Sequence, residues 1–476
     1  MIVSTELQTL LACQQRAFRK QGLPDANVRR GRLTRAIALL ADNQQILCDA
    51  MSEDFHGRSL HQSLMMDIYG AIASLKFSHD HLTEWMKTEK RQVQIPLGLF
   101  GASAAIRYQP KGVVGAISTW NFPAWVPFAP LGGIFAAGNR CMIKLSEHSP
   151  HTSLLLEKLT GQYFDQEELV MINGDMHVGE AFSRLAFDHL LFTGASPVGK
   201  KIMSAAAENL VPVTLELGGK SPVIIGRNAD LKQAASRLAV GKAINAGQVC
   251  LSPDYIFVKE SSLNELIAEL ERAFEKHFPT MLSNPDYGSV INRQHYSRLM
   301  NYLDDAKNKN AEIWEINPAR ENFSQQKNSY KMPITLVINP SDDMLIMQEE
   351  IFGPIVPIKS YHHIDEVIEY ITSHPNPLAL YYFGNYQPEL EKVLNNTISG
   401  GVTVNDVIQH VGCEDLPFGG VGASGMGQYH GIEGFKTFSH ARSVYKQSRV
   451  NIMSLAGLSP PYTSKTINAL KRMIKK

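Results

Sequence analysis

The first 90 residues carry apolar side chains at spacings of three and four, which is the pattern of amphipathic helices. Residues 27–52 follow this pattern, and residues 60–86 repeat it. From residue 104 onward the pattern changes to short apolar runs that alternate with helix-like stretches. Such runs are typical of parallel strands that helices cover on both faces. The chain is therefore predicted to begin with helices and to continue as an α/β protein.

The apolar runs form two series. The first series, which has a Rossmann-type layout, consists of GVVGAIS (112–118), RCMIKL (140–145), ELVMIN (168–173) and HLLFTGA (189–195). The second consists of VPVTLEL (211–217), SPVIIG (221–226), an amphipathic stretch (230–246), YIFVKE (255–260), MPITLVIN (332–339), IVPIKSY (355–361), LALYYFG (378–384) and GGVTVN (400–405). Glycines mark hinges and tight turns, and they cluster at 217–219 and in GGVGASGMG (419–427). We therefore predict two α/β domains with hinges at these glycines.

Composition narrows the class of partner. The 476 residues include 46 Lys and Arg against 46 Asp and Glu, so the overall charge gives no reason to expect nucleic acid or an anionic membrane as partner. The chain has no secretory signal pattern and no apolar run of membrane-spanning length. Its five cysteines are scattered without CxxC spacing, which argues against a disulfide framework or a zinc site. We expect a cytoplasmic protein with reduced thiols and a small-molecule partner.

Three polar side chains stand where apolar runs end. Cys250 in NAGQVCLSPD lies on a predicted loop, where reactive groups often sit, although a free cysteine is more commonly a small buried hydrophobe. Glu216 in LELGGK ends a β-rich run, so it should be hydrogen-bonded, functional or exposed, the last of these being the simplest interpretation. Asn121 in STWNFP could stabilise an oxyanion, or it could cap the following helix through an Asx turn. Each signal is modest when read alone.

The stretch LLFTGASPVGKK (190–201) follows a strand and opens a helix, so amides near Gly194 and Gly199 could bind phosphate. It is not a Walker A loop, because Lys201 stands where that motif needs Ser or Thr, and the turn also lacks GxGxxG. The chain contains no HExxH, and Ser196, Ser221 and Ser424 all miss GxSxG. Metalloprotease and serine hydrolase chemistry are therefore not indicated.

Seven motifs together carry a family resemblance. They are, in order, TWNFP (119–123), IKLSE (143–147), FTGASPVGK (192–200), LELGGKSP (215–222), NAGQVC (245–250), EEIFGP (349–354) and PFGGVGASGMGQYHG (417–431). From about residue 20 to about residue 445 the chain resembles the aldehyde dehydrogenase superfamily. The ending FSHARSVY, with the PPYTSKTINALKRMI tail, is similar to the class 3 branch and its bacterial coniferyl aldehyde dehydrogenase relatives.

The resemblance implies an α/β fold with three parts and a tail. Residues 1–87 and 105–217 would form a Rossmann-like NAD(P)-binding domain, and residues 218–410 an α/β catalytic domain. Residues 88–104 and 411–445 would form a small β oligomerisation arm and C-terminal segment, followed by a tail at 446–476. The tail includes SKTINALKRMIKK (464–476), for which a solvated surface helix is expected over a membrane-binding one.

The resemblance also implies roles for individual residues. Cys250 matches the family's nucleophile, Glu216 its general base and Asn121 its oxyanion donor, and no metal is needed. Cofactor contacts are implied for Lys144 and Glu147 at the adenosine ribose, for Gly194, Ser196 and Gly199 at the pyrophosphate turn, and for Glu350 and Phe352 at the nicotinamide and its ribose. The chain departs from the family at Leu145 (usually Pro), Ala195 (often Ser) and Val249 (Thr in class 3). Only Ala195 removes a potential cofactor hydrogen bond.

These roles imply a covalent mechanism. A free thiol with a pKa of roughly 8.5 is mostly protonated at neutral pH, so Cys250 needs local dipoles, the positive nicotinamide or a base to attack an aldehyde. Asn121 and the Cys250 amide would hold the oxyanion, hydride would pass to NAD(P)+, and Glu216 would activate water to hydrolyse the thioester. The alternatives are an acylating relative that passes the thioester to another acceptor, and a fold kept for binding or structure. Glu216 favours hydrolysis.

The sequence also predicts which cofactor is preferred, which aldehydes are bound and how the chain assembles. Glu147 suits the ribose hydroxyls of NAD and would repel the 2′-phosphate of NADP, so NAD is expected to be preferred, with NADP as a second cofactor.

Apolar residues should line the substrate tunnel and suit an aromatic, coniferyl-like aldehyde or a medium to long aliphatic one, although core packing is the alternative role for each of these residues. They are Trp120, Phe122, Trp125, Val249 and Leu251. IPLGLFGASAAI (95–106) is predicted to be an edge strand that pairs across a homodimer.

Overall fold

A computed structural model describes residues 4–93, 97–326, 329–455 and 457–474. The N-terminal region is helical, as predicted, and a single turn of π-helix, Ser63–Tyr69, interrupts it. Its helices are α1 (Ser4–Gln21), α2 (Ala26–Asp42), α3 (Gln44–Asp54), α4 (Leu60–Gln62) and α5 (Gly70–Trp85). Three sheets follow, so the predicted α/β class is confirmed.

The first two strands after the N-terminal helices belong to the small sheet, and the next five, which belong to the first large sheet, alternate with helices. The strands are β1 (Glu89–Arg91), β2 (Ser103–Pro110), β3 (Val113–Ile117), β4 (Arg140–Lys144), β5 (Leu169–Ile172), β6 (His189–Gly194) and β7 (Val213–Leu217). The helices between them are α6 (Trp125–Ala137), α7 (Pro150–Tyr163), α8 (Met176–Ser183) and α9 (Ser196–Ala207). The six-stranded sheet has the order β15-β7-β6-β3-β4-β5, where β15 (Gly425–Met426) is the one antiparallel member among the described strands. The carboxyl ends of β3, β6 and β7 therefore meet at one edge.

The second large sheet has seven strands. They are β8 (Pro222–Ile225), β9 (Tyr255–Lys259), β10 (Glu312–Ile316), β11 (Ile334–Ile338), β12 (Ile355–Tyr361), β13 (Ala379–Phe383) and β14 (Gly401–Val404). Their order is β10-β11-β12-β9-β8-β13-β14, and the described pairs are parallel except β10 with β11. The helices of this region are α10 (Leu231–Ala243), α11 (Leu263–His277), α12 (Arg293–Asn308), α13 (Leu345–Gln348), α14 (Ile364–Ser373) and α15 (Gln387–Asn396).

A small antiparallel sheet, ordered β1-β2-β16, completes the described strands. Its third member, β16 (Ser439–Lys446), follows α16 (Gly431–Thr437) and pairs with β2 over its whole length. The prediction of an edge strand at 95–106 is therefore wrong in its position, because β2 is the middle strand of this sheet with β1 and β16 on its two sides, and it is only partly right in its bounds. Residues 97–100 form a 3-10 helix that ends at Gly101 with a φ of 94°, the strand starts at Ser103, and Ile95 and Pro96 lie outside the described residues.

The predicted hinge at 419–427 is not simply a turn. Gly425 instead pairs with Glu216 as part of a short strand. This pairing requires glycine, because a Cβ at residue 425 would lie 2.1 Å from the Leu215 carbonyl oxygen. The predicted domain limits stay predictions, and strand β2 already extends the small sheet to residue 110. None of the helices in the described ranges combines the length and apolarity needed to cross a membrane.

Candidate active site

A cavity of about 760 Å³ is lined by residues that belong to both large sheets and their loops. Ten of the predicted site residues line it: Trp120, Asn121, Phe122, Trp125, Gly194, Ser196, Glu216, Cys250, Glu350 and Phe352. Five others are not among the lining residues: Lys144, Glu147, Gly199, Val249 and Leu251. The structure thus brings together in one cavity residues that are up to 232 positions apart in the chain, from Trp120 to Phe352.

The loop that carries Cys250 is held rigidly. Helix α10 ends at Ala243, and Asn245 and Ala246 then adopt left-handed conformations with φ of 49° and 54°. Such conformations cost energy in residues other than glycine and persist where the surroundings fix them. The buried Gln248 supplies that fixation, since its Nε2 donates to the Asn245 and Ser289 carbonyls at 2.8 and 3.0 Å and its Oε1 accepts from the Ile291 amide at 2.9 Å. The half-buried Cys250 thiol is therefore presented on a fixed turn.

Glu216 lies on β7, beside this turn, in a position that strongly disfavours its charge. Its side chain is 2% exposed, and its Oε1 has no hydrogen-bond partner in the described chain. Burial raises the pKa of the Glu216 carboxyl to about 7, and hydrogen bonds from Cys250 and Thr193 offset only part of the rise. Near neutral pH the carboxyl therefore exists in both protonation states, as a general base requires.

The thiol is affected in the same direction. Burial, together with the neighbouring charge of Glu216, raises the pKa of Cys250 well above its usual value. In the resting protein the sulfur is therefore protonated, and it becomes a thiolate only when a nearby group takes the proton. The two groups come from different sheets, since Glu216 is on β7 and Cys250 precedes β9.

Asn121 follows β3 and faces the same cavity. Its Nδ2 donates to the Gln248 carbonyl at 3.2 Å, which leaves the second N–H of that amide for a ligand, while its Oδ1 is buried without a partner among the described residues. The backbone carbonyl of Asn121 accepts from the Asn245 side chain at 2.8 Å. The Asn121 amide is thereby tied directly to the turn that presents Cys250.

A buried ion pair that the sequence reasoning missed supports this arrangement. Arg58 and Asp67 pair at 2.7 Å, and both side chains are almost fully buried. Arg58 donates to the Asn121 carbonyl at 3.2 Å, and Asp67 accepts from the Ala124 and Trp125 amides at 3.0 and 3.1 Å. Burial raises the pKa of Asp67, while Arg58 and these two amides oppose the rise. Asp67 lies in the π-helical turn, whose irregular register a helix periodicity in the sequence cannot reveal.

The opposite end of the cavity can receive a phosphate. Ser196 begins α9, and the preceding Ala195 provides no side-chain cap. Pro197 has no N–H and the Val198 amide donates to the Ala195 carbonyl, so within the first turn the Ser196 amide is the donor left at the cavity wall. Gly199 is not among the lining residues and its N–H donates to the Ala195 carbonyl at 3.0 Å, so its place in the pyrophosphate turn stays a prediction. An added Cβ there would lie 2.7 Å from a Leu217 methyl, so this glycine allows α9 to pack against β7.

Lys144 and Glu147 stand at the carboxyl end of β4 and form an ion pair at 2.9 Å. Lys144 is buried and also donates to the Leu145 carbonyl at 2.7 Å. Partial burial acts against the charge of Glu147, but the hydrogen bond from Lys144 outweighs it, so the net effect lowers the pKa. Glu147 is therefore ionised at neutral pH, in a position where it can accept hydrogen bonds.

Glu350 contacts the linker between the two large sheets. An added Cβ at Gly218 would lie 2.1 Å from a Glu350 carboxylate oxygen, which explains why residue 218 has no side chain. Burial, together with the charge of Asp254, raises the pKa of Glu350 to about 8 against the lowering effect of the Gly219 amide. Phe352, which has a φ of 46°, sets its ring against Trp120 with centroids 5.5 Å apart.

A lysine in the linker ties these loops together, and sequence reasoning did not identify it. Lys220 pairs with the buried Asp254 and donates to the Ile346 and Glu349 carbonyls at 2.8 and 2.9 Å. The second oxygen of Asp254 accepts from the Ile351 amide at 2.9 Å. Lys220 thus links the loop after Cys250 to the loop that carries Glu350.

Helix α12 supplies three further cavity residues that no motif signalled, His295, Arg298 and Tyr302. Arg298 donates to the Ile351 carbonyl at 2.9 Å, and the His295 ring lies 5.0 Å from that of Trp120. His295 Nδ1 is buried without a partner in the described chain, and burial together with Arg298 lowers the pKa of His295 to about 4. A neutral imidazole and a guanidinium at the cavity wall suit the hydroxyl and phosphate groups of a dinucleotide.

The apolar side of the cavity is formed by Phe122, Trp125 and Val126. Val249 and Leu251, which were predicted to join them, are instead buried in the main core. Alternate residues of a loop that turns over a core face opposite sides, so the neighbours of a cavity-facing Cys250 point inward. Within the described ranges no group of three or more His, Cys, Asp or Glu side chains could hold a metal ion.

Comparison with known proteins gives a consistent result. The sequence profile of the aldehyde dehydrogenase family matches residues 4–444. Coniferyl aldehyde dehydrogenase of a Pseudomonas species is 50% identical over 455 residues, which cover 96% of this chain and 94% of that protein. The rat protein named aldehyde dehydrogenase, dimeric NADP-preferring, is 36% identical over 90% of this chain and 91% of its own. The substrate-bound structure of Staphylococcus aureus AldH is 34% identical, covers 100% of both chains and has a TM-score of 0.91.

Proposed function

Because this chain belongs to the aldehyde dehydrogenase family, we propose that it oxidises an apolar aldehyde to the carboxylic acid through a thioester on Cys250. The protein is an oxidoreductase that acts on aldehydes, and its family uses NAD or NADP. The observation that carries the proposal is the pairing of a protonated Cys250 thiol with a Glu216 carboxyl whose pKa is about 7.

The reaction begins with proton transfer. Glu216 takes the proton of Cys250, directly or through one water, and the sulfur forms a bond to the aldehyde carbon. The negative charge that develops on the aldehyde oxygen is held by the free N–H of Asn121 and the backbone N–H of Cys250. In comparable sites one such donor is worth roughly 3 to 4 kcal/mol. The buried Arg58–Asp67 pair keeps Asn121 in this position.

The second half of the reaction is hydrolysis. NAD(P)+, when bound, would supply the oxidising power as a hydride acceptor, and loss of hydride from the former aldehyde carbon would leave a thioester on Cys250. Glu216 first releases to solvent the proton that it took from Cys250. It then deprotonates a water molecule, which attacks the thioester carbonyl, and this second proton passes from Glu216 to the sulfur when it leaves. The carbon–sulfur bond breaks, Cys250 regains a proton, and the carboxylic acid leaves.

The residues present fit such a cofactor. Gly194 and the amino-terminal end of α9 at Ser196 would receive the pyrophosphate, while Glu350, Phe352, His295 and Arg298 would hold the nicotinamide half. We accordingly assign cofactor binding to residues 1–87 and 105–217 with the six-stranded sheet, and catalysis to residues 218–410 with the seven-stranded sheet.

NAD is expected to be preferred over NADP. Glu147, ionised and already paired with Lys144, accepts hydrogen bonds from ribose hydroxyls and repels a 2′-phosphate. Replacing Glu147 with glutamine keeps the size but removes the charge, so kcat/KM for NADP should rise relative to that for NAD by about tenfold, or about 1.4 kcal/mol. Glu53→Gln, at an exposed carboxylate that pairs with His151 and does not line the cavity, is the matched control. An unchanged ratio in Glu147→Gln would show that this carboxylate does not contact the ribose.

The substrate class is proposed to be apolar and aromatic. The coniferyl aldehyde dehydrogenase relative is 50% identical, and Phe122 and Trp125 present aromatic surface beside Asn121. Comparing kcat/KM for coniferyl aldehyde, benzaldehyde, hexanal, decanal and succinic semialdehyde at fixed NAD tests the assignment. We expect the aromatic aldehydes to lead. If the charged semialdehyde led by more than about tenfold, a basic anchor would have to line the pocket and the apolar assignment would be wrong.

An acylating activity, in which another acceptor takes the thioester, is less well supported. Transfer to a second thiol needs no base that activates water, whereas Glu216 is buried, unpaired at Oε1 and able to titrate near pH 7. The position of Glu216 therefore favours hydrolysis.

We further propose a homodimer in a reducing compartment such as the cytoplasm. Strand β16 is the outer strand of the small sheet, and seven of its eight residues are exposed, so its outer backbone groups are available to a second chain. The rat relative carries the word dimeric in its name. All five cysteines are free, and the proposed mechanism requires that Cys250 stay reduced.

A further inference from the structure

The C-terminal tail holds an amphipathic helix whose apolar face is uncovered in the described chain. The tail contains α17 (Ile452–Leu455) and α18 (Ser464–Ile474). The large apolar residues of α18 all lie on one side, and they are 44% to 78% exposed: Ile467, Leu470, Met473 and Ile474. Thr466 is the one buried residue of the helix, and its hydroxyl donates to the Gly457 carbonyl at 2.6 Å. The helix is thus tied locally to its own segment while its apolar side faces solvent.

The charge of this region differs from that of the chain as a whole. The whole chain has a formal charge of +0, yet residues 434–476 contain nine Lys and Arg and no Asp or Glu. Three of the basic residues, Lys465, Lys471 and Arg472, lie on α18, and none of them forms an ion pair within the described ranges. The neutral overall charge therefore conceals a basic C-terminal segment.

The basic side chains flank the apolar side at both edges. On a helix with 3.6 residues per turn, Lys471 follows Ile467 by one turn and borders one edge, and Lys465 with Arg472 lies toward the other. Long basic side chains in this position can lay their methylene stems along an apolar layer and place their charges among phosphates. This arrangement is typical of helices that lie in the plane of a membrane surface.

We propose that α18 docks the enzyme onto a lipid surface that contains anionic headgroups. Eleven residues make a helix about 16 Å long, too short to span a bilayer, so it would lie on the surface with its apolar side in the headgroup–acyl boundary. Exposed apolar residues of the same segment, Leu455 at 78% and Tyr462 at 68%, extend the contact. A second copy of the chain is a less suitable occupant of this face, because pairing two such tails would bring like charges together.

Vesicle co-sedimentation tests the proposal with the full chain. Leu470→Ser/Ile474→Ser removes the apolar side, Lys471→Glu/Arg472→Glu reverses the charge, and Asn468→Ser on the polar side is the matched control. The parent chain and Asn468→Ser should bind vesicles that mix phosphatidylcholine with phosphatidylglycerol, and high salt should release them. Each double variant should bind at least about tenfold less, and pure phosphatidylcholine should bind the parent chain weakly.

Two further readouts complete the test. Dehydrogenase activity without vesicles should be equal in all four proteins, since none of these residues lines the cavity. Failure of the parent chain to bind, or equal binding by the double variants, would overturn the proposal. Light scattering identifies the alternative occupant: if Leu470→Ser/Ile474→Ser halves the particle mass, the apolar side contacts a second copy and the membrane assignment is wrong.

Discussion

Replacing Cys250 with alanine is expected to abolish NAD(P)H production, with a loss of about 10 000-fold or more in kcat. The reason is that the sulfur makes the covalent bond to the substrate, and the described cavity offers no second thiol to replace it. Cofactor binding should persist, because the residues proposed to hold the dinucleotide are separate from the sulfur. Steady-state absorbance at 340 nm measures the first effect, and titration of protein fluorescence with NAD measures the second.

The matched control is Cys413→Ala. Cys413 is exposed and does not line the cavity, so its replacement should leave kcat unchanged. Both variants lose one thiol and no charge, which separates the catalytic effect from a general effect of thiol removal. If Cys250→Ala still turned over aldehyde at a rate near that of the parent enzyme, the thioester mechanism would be excluded.

Glu216→Gln is expected to slow turnover by about 100- to 10 000-fold and to leave acyl groups on Cys250. Glutamine has nearly the same shape but cannot take a proton from water, so the thioester persists. Mass spectrometry of the enzyme during turnover should show an added acyl mass on the peptide that contains Cys250. An unaltered rate with no adduct would contradict the role of Glu216 as base.

The pH profile distinguishes a base from a residue that only maintains the fold. Burial raises the pKa of Glu216 to about 7, and a base acts in its deprotonated form, so kcat should fall as pH falls through about 7. The observed value belongs to Glu216 and Cys250 together, because each affects the titration of the other. In Glu216→Gln this fall should disappear, whereas a variant that was merely destabilised would keep it at a lower overall rate.

The sequence predicted the sheets well because their strands are buried on both faces. Every residue of β4 is buried, and the apolar residues CMI at its centre were visible within RCMIKL. The segment before β2, the middle strand of the small sheet, was harder to predict. There, IPLGLFG is as apolar as a strand, yet glycines at 98 and 101 allow the chain to form a 3-10 turn. Apolar content alone could not decide between the two.

Within the site, the residues that take part in the proposed chemistry could be predicted, and those that hold them in place could not. Cys250 and Glu216 follow apolar runs and belong to recognisable motifs. Arg58 lies in the loop between α3 and α4 and Asp67 in the π-helical turn, and only the folded chain brings them to residues 121–125, which are 57 to 63 residues away in sequence. Lys220 was visible in LELGGKSP, but its partners lie 34 to 129 residues further along. Such long-range contacts leave no local periodicity.

Glu216 lies on the six-stranded sheet, and Cys250 lies on the turn that leads into the seven-stranded sheet. The short linker at residues 218–221 joins those two sheets. The separation of base and sulfur is therefore set by how the two halves of the molecule dock, rather than by either half alone. The Glu350 contact with Gly218 and the Lys220 contacts bridge that joint. A ligand that contacts both halves is therefore expected to alter the separation of Glu216 and Cys250. We therefore expect the catalytic rate to depend on how tightly the two halves of the molecule pack together. A substitution far from the site that loosens this packing would slow the reaction without altering any reacting atom.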